Sequence, residues 1–132
     1  MGFGPHGVVL KIRLGDLQVV RHEVVELGCL WRTTGDLDRD CLRWVYRNQD
    51  LLPKIDPSVF DIPAYGEATS LGLTDLMLSP VRRFAEYQGG TTSWAIRVMM
   101  AIFLGTQINE LELVSAVEPE TWELLNQNWR KP

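Results

Sequence analysis

Gly2, Gly4 and Gly7, in the stretch GFGPHG, stand at the G-x-G-x-x-G spacing that cradles a dinucleotide pyrophosphate. That chemistry needs a strand before the loop and a helix after it, because the helix N-terminus supplies the N–H groups that hold the phosphates. No strand-forming run precedes these glycines, and Pro5 removes an N–H donor. The residues that follow, Val8 to Leu14, alternate apolar and basic and read as a strand. The stretch is therefore expected to lead into a strand rather than to bind a nucleotide.

A second constellation is Gln88-Gly89-Gly90-Thr91-Thr92-Ser93 ahead of an apolar run. Gly89 and Gly90 let the backbone turn N–H groups toward one point, and Thr91, Thr92 and Ser93 add hydroxyl donors at a helix start. Arg82, Arg83 and Arg97 lie near in sequence and would supply positive charge to an anion held there. The same residues also make an ordinary junction between two helices, a glycine closing one and a hydroxyl capping the next. Both readings stand at this level.

Arg39, Arg43 and Arg47 recur every four residues, which places them on one stripe of a helix. Such a stripe suits an acidic partner or phosphate groups. Asp36 and Asp40 precede the first two by three residues, the spacing of ordinary helix-surface ion pairs, so a self-paired solvated face is the competing reading. Trp122 and Trp129, seven residues apart, share one face of a C-terminal helix, where they either close the core or anchor a partner.

Catalytic motifs are sparse. The sequence holds no G-x-S-x-G, H-E-x-x-H or Walker loop, and no paired Cys/His ligand clusters. Its two histidines, His6 and His22, and two cysteines, Cys29 and Cys41, carry no local signature of a nucleophilic dyad. No catalytic residue, metal ligand or cofactor is assigned.

The elements expected to carry these residues run β-β-α-loop-α-α-β-α. Gly15-Asp16 between apolar runs reads as a two-residue hairpin joining the first strand to a second over residues 17–25, with His22 mid-strand. Leu10, Ile12 and Leu14 share one face of the first strand. Residues 28–35 connect to a helix, with Leu30 and Trp31 packing inward. That helix is capped by Thr34 or Asp36, runs to about Asn48, and buries Leu37, Cys41, Trp44 and Val45. Residues 53–70, with three prolines and scattered apolar side chains, form a long irregular segment and a candidate binding edge. Residues 71–78 are a short strand or a helical turn. Ser79-Pro80 has the form of an N-cap followed by proline at the first helical position, opening a helix through Val81, Phe84 and Tyr87 to Gly89. A further helix, capped by Thr92 or Ser93, runs from Trp94 to about Leu104 and is closed by Gly105; Ile108 to Ser115 reads as a strand, and Glu118-Pro119 opens the final helix. The run WAIRVMMAIFLG is too short to span a bilayer and contains Arg97, so it is expected to be a buried core helix.

Composition sets outer bounds. With 132 residues, 45% hydrophobic and 23% charged, the chain is expected to be a single globular domain, residues 1–132, with one core. A net charge of −4 gives no global pull toward nucleic acid or an anionic membrane. Ten arginines against three lysines favour ordered ion pairs or an interface over a loose polycationic surface. The start of the chain lacks a basic, apolar secretory pattern, so a cytoplasmic setting with free thiols is expected.

The fold class expected is α+β: an N-terminal β-hairpin plus about four helices on a small antiparallel or mixed sheet. The function expected is non-catalytic protein–protein interaction or a structural or accessory role, in keeping with a viral or phage protein and with homo-oligomerisation. The contact residues expected are Arg39, Arg43, Arg47, Trp122 and Trp129. An alternative is an RNA- or phosphate-binding protein using the arginines and the Gly89–Ser93 junction; a second is a small enzyme of unknown type.

Overall fold

The computed structural model describes residues 7–26, 30–54 and 63–111. The Gly2–His6 stretch, Cys29, much of the 53–70 segment and the C-terminal helix with Trp122 and Trp129 lie outside the described residues. Within them, the chain is an α+β fold of four helices packed together beside a two-stranded antiparallel sheet.

Strand β1 (Gly7–Arg13) forms where the alternation demands it. Ile12 is buried and Val8 and Leu10 pack against the core, while Val9, Lys11 and Arg13 face out. Its partner is not the neighbouring segment but β2 (Ala68–Thr74), some sixty positions on, in a register that sets Gly7 opposite Thr74 and Arg13 opposite Ala68. Leu71 and Leu73 of β2 fall on the buried face, level with Leu10 and Val8.

The hairpin expected at Gly15-Asp16 is therefore corrected. Gly15 does turn the chain, with φ +59°, but the turn leads into helix α1 (Asp16–Glu26). The Leu17 and Gln18 N–H groups donate to the carbonyls of Leu14 and Gly15, at 3.1 Å each. Leu17, Val20, Arg21 and Val24 are the buried residues, the i, i+3, i+4, i+7 spacing of one helical face. His22 is exposed on this helix, not on a strand.

Helix α2 (Thr34–Arg47) lies close to its expected range. Its cap is Thr33, one residue earlier than expected, whose hydroxyl accepts from the Asp36 N–H at 3.1 Å. Leu37, Asp38, Cys41, Leu42 and Val45 make its buried face. Cys41 is a free thiol packed in the core, and burial pushes its ionisation far above the usual range. Asn48 closes the helix, its backbone N–H and side-chain amide both donating to the Trp44 carbonyl. A 3-10 helix (Gln49–Lys54) follows.

Helix α3 (Asp75–Gln88) starts four residues before the expected Ser79. β2 ends at Thr74, and the Thr74 hydroxyl takes the cap by accepting from the Met77 N–H at 3.3 Å. Pro80 consequently sits in the helix interior, where it lacks the N–H that would bond the Leu76 carbonyl. It is buried there, and the apolar face of Leu78, Val81, Phe84 and Ala85 begins a turn earlier than the proline suggests. Tyr87 does not continue that face; it is 75% exposed.

Helix α4 (Thr92–Leu111) is longer than expected and passes straight through Gly105. The strand expected from Ile108 is thus helix as far as Leu111, and its remaining residues lie outside the described ones. Ala95, Ile96 and every residue from Val98 to Gly105 are buried, and α1, α2 and α3 all pack on α4. A helix apolar on nearly every side is the hub of a core. No helix of the described residues is long and apolar enough to cross a membrane.

A buried ion pair links α1 and α2 within this core. Arg21 of α1 donates from Nε to Asp38 Oδ1 at 3.0 Å and from Nη2 to Oδ2 at 2.5 Å. Its remaining Nη1 donates to Gln18 Oε1 at 2.7 Å, and the Thr69 hydroxyl of β2 donates to the same oxygen at 3.2 Å. The network ties α1 to α2 and to the sheet.

Candidate functional site

The outward face of α2 brings the expected arginines together with aromatic side chains. Arg39 reaches back to Asp36, and that hydrogen bond holds the Asp36 carboxyl below its usual range. Arg43 contacts Asp40 loosely, at 3.5 Å. Arg47 and Arg32 make no ion pair among the described residues. The self-paired reading therefore describes the first half of the stripe and fails at its C-terminal end.

Trp31 organises what lies beside the stripe. Its indole Nε1 donates to Asp40 Oδ2 at 2.9 Å, and its ring meets Phe103 of α4 with centroids 5.7 Å apart. Trp44 meets the same phenyl ring edge-on at 6.0 Å. Two cavities of about 330 Å³ each open here. The first is lined by Leu30, Arg32, Asp36 and Arg39; the second by Trp44, Arg47, Phe103 and Gln107. Leu30, Trp31, Asp40 and Arg43 line both, so the two cavities adjoin on one face, with the Trp31–Asp40 hydrogen bond among their shared residues.

Sequence reasoning placed Trp31 and Trp44 in the core. Trp31 is buried, yet its edge lines both cavities; Trp44 is half-buried and walls the second. Leu30 was expected to pack inward and is instead 54% exposed at the rim. Phe103 and Gln107 were not foreseen at the site, because no local signal marks the turn of α4 that passes α2.

The Gly89–Ser93 constellation has the geometry of a helix junction. Gly89 is left-handed, with φ +73° and ψ 23°, and closes α3. The Gly90 N–H donates to the Ala85 carbonyl at 2.9 Å. Thr91, rather than the expected Thr92 or Ser93, is the cap of α4: its hydroxyl accepts from the Trp94 N–H at 3.0 Å, and Thr92 and Ser93 sit half-buried in the first turn. Arg83 is engaged elsewhere, donating to Gln49 Oε1 of the 3-10 helix at 2.6 Å, while Arg82 is exposed on α3. Arg97 is half-buried and engaged with neighbours, and burial lowers the pKa of its guanidinium.

Gly90 has a packing reason to be glycine. A β-carbon there would lie 2.3 Å from Cε3 of Trp94, whose indole stacks on Phe84 at 5.8 Å and 13°. Gly90→Ala is expected to destabilise the fold by about 1–3 kcal/mol through this overlap. Gly89→Ala meets no atom within 4 Å and carries only the cost of its positive φ. Thermal unfolding of the two variants checks the order: Gly90→Ala should melt lower.

Arg83 and Gln49 also line a separate groove of about 250 Å³ with Leu52, Pro53, Pro80, Phe84 and Tyr87. Pro53, the first residue of the expected binding edge, thus does line a concave apolar surface. Among the described residues, no group of three or more His, Cys, Asp or Glu side chains is placed to hold a metal ion. No family model, no curated protein and no solved structure matches the chain.

Proposed function

We propose that this chain is a non-catalytic binding domain that meets a protein partner through the outward face of α2. The observation carrying this reading is the arginine-rimmed aromatic face itself. Tryptophan and arginine are the side chains that most often dominate interface energetics, and here Trp31, Trp44, Arg43 and Arg47 line one cavity. Arg47 and Arg32 carry charge that no aspartate of the stripe neutralises. A cytoplasmic setting suits the free Cys41 thiol, and self-association is one form the contact could take.

The test is charge reversal. Arg43 and Arg47 are exposed, so Arg43→Glu/Arg47→Glu is expected to keep the fold, with stability changed by less than about 1 kcal/mol. Partner binding should weaken more than about tenfold. Affinity capture from the native host with wild type and double variant, read by quantitative mass spectrometry, decides it. A partner set that the folded variant loses supports the reading. A set wholly retained overturns it, and α2 is then a solvated face.

The RNA or phosphate reading draws on the same arginines beside aromatic rings. It requires binding that falls steeply as salt rises. A gel-filtration peak rich in absorbance at nucleic-acid wavelengths, dispersed by salt, would favour it over the protein partner.

A further inference from the structure

We infer that the ligand of the α2 face is a short extended acidic peptide segment bearing one large aromatic side chain. This rests on the binding reading above and adds the chemistry of the partner. The second cavity, at about 330 Å³, lies at the low end of ligand-pocket volumes, the scale of one bulky side chain with its flanking backbone. Its lining includes the half-buried Trp44 and the narrow exposed edges of the buried Trp31 and Phe103, an aromatic patch on which a ring packs through edge and offset contacts. Its mouth carries Arg43 and Arg47. A guanidinium without an ion pair is a fork for a carboxylate, and Arg47 is in that state among the described residues.

The adjoining cavity, which shares Leu30, Trp31, Asp40 and Arg43 with the second, is the reason the segment is taken as extended. It carries Arg32 and Arg39, so a second carboxylate displaced along the peptide meets positive charge there. Asp36 and Asp40 are interleaved with these arginines. They limit the tolerated negative charge and favour a few placed carboxylates over a continuous phosphate backbone. The chain's net charge of −4 opposes a long polyanion for the same reason. Four arginines against two aspartates nevertheless leave this face positive within an acidic protein, which is complementary to an acidic segment.

The experiment titrates the full chain with a capped peptide of sequence Glu-Glu-Phe-Glu-Glu, followed by tryptophan emission, since the rings walling the site report directly on occupancy. Two further probes are the same peptide with serine for phenylalanine and an oligouridylate. The expected result is saturable quenching by the phenylalanine peptide, at least about tenfold weaker binding of the serine peptide, and a comparable loss for Arg47→Glu. Equal binding of the two peptides overturns the aromatic assignment. Tighter, steeply salt-dependent binding of oligouridylate at the same site overturns the peptide assignment in favour of nucleic acid. If no probe binds but Arg43→Glu/Arg47→Glu still loses its host partners, the ligand chemistry is wrong and the α2 interface stands. If that variant loses nothing, the interface itself is wrong.

Discussion

Asp38→Ala is expected to cost about 3–5 kcal/mol of folding stability, enough to unfold a large fraction of a marginal domain. Arg21 is 1% exposed, and both bonds that justify its burial end on Asp38. After the truncation the guanidinium keeps only Gln18 as a partner among the described residues. An unpaired buried charge, rather than the loss of attraction, drives the effect. Desolvation already opposes the Asp38 carboxylate: burial pushes its pKa upward, and the Arg21 guanidinium pulls it back only in part. Removing both charges should therefore be mild. Arg21→Met/Asp38→Leu is expected within about 1 kcal/mol of wild type, since apolar side chains of similar volume avoid the desolvation of both ions. Urea midpoints at unchanged slope measure all three proteins. A cost below about 1 kcal/mol for Asp38→Ala alone would mean that water reaches Arg21, and the double variant would then show no recovery. The pair also bears on the candidate site, because Asp38 and the arginine stripe are opposite faces of α2. Loosening α2 from α1 would let the Trp44 wall drift from Phe103.

The helical character of α1 was present in the sequence but outvoted by composition. Leu17, Val20, Arg21 and Val24 carry the helical period, yet the Val19-Val20 and Val24-Val25 pairs and Gly15-Asp16 read as strand and hairpin. The decisive element was remote. β1 satisfies its edge with β2, and no local pattern in Ala68–Thr74 announces that pairing. Once β2 takes the place beside β1, residues 17–25 are released to pack as a helix against α4. A similar competition moved the start of α3. Ser79-Pro80 is a strong local start signal, but the strand that ends at Thr74 supplies an earlier cap, and the buried stripe continues through Pro80. In contrast, α2, the glycine closing α3 and the core character of α4 followed from periodicity and caps alone, because their determinants are local.

The candidate site was half legible. The four-residue recurrence of Arg39, Arg43 and Arg47 sufficed to define a face, and the Asp36 and Asp40 spacings correctly anticipated which arginines pair. What sequence could not supply was the other wall. Phe103 lies in the middle of an unbroken apolar run, where every position looks equally buried. Only the packing of α4 against α2 decides which of those side chains meets Trp44 and Trp31. Trp31 illustrates the same point, for this buried residue also lines both cavities of the candidate face and bonds Asp40 there.

Gly15→Ala is expected to cost about 3 kcal/mol or more, and Gly66→Ala about 1 kcal/mol, although both glycines have positive φ. The difference isolates close packing from backbone conformation. At Gly15, φ is +59° and a β-carbon would lie 2.4 Å from the Pro63 carbonyl oxygen and 3.0 Å from Cε1 of Tyr65. The obstacle is backbone, so it cannot rotate aside. Accommodating the methyl group means displacing residues 63–65, which breaks the 3.2 Å bond from the Gly15 N–H to the Tyr65 carbonyl. It also strains the Tyr65 hydroxyl contact to Asp16 at the first turn of α1. At Gly66, with φ +86°, no atom lies within 4 Å of the added carbon, and only the left-handed conformation is penalised. Urea unfolding of both variants makes the comparison. A Gly15→Ala cost no greater than that of Gly66→Ala would show that the 63–65 segment is not held against the start of α1. The larger cost would establish Gly15 as the point where strand, loop and first helix are locked together.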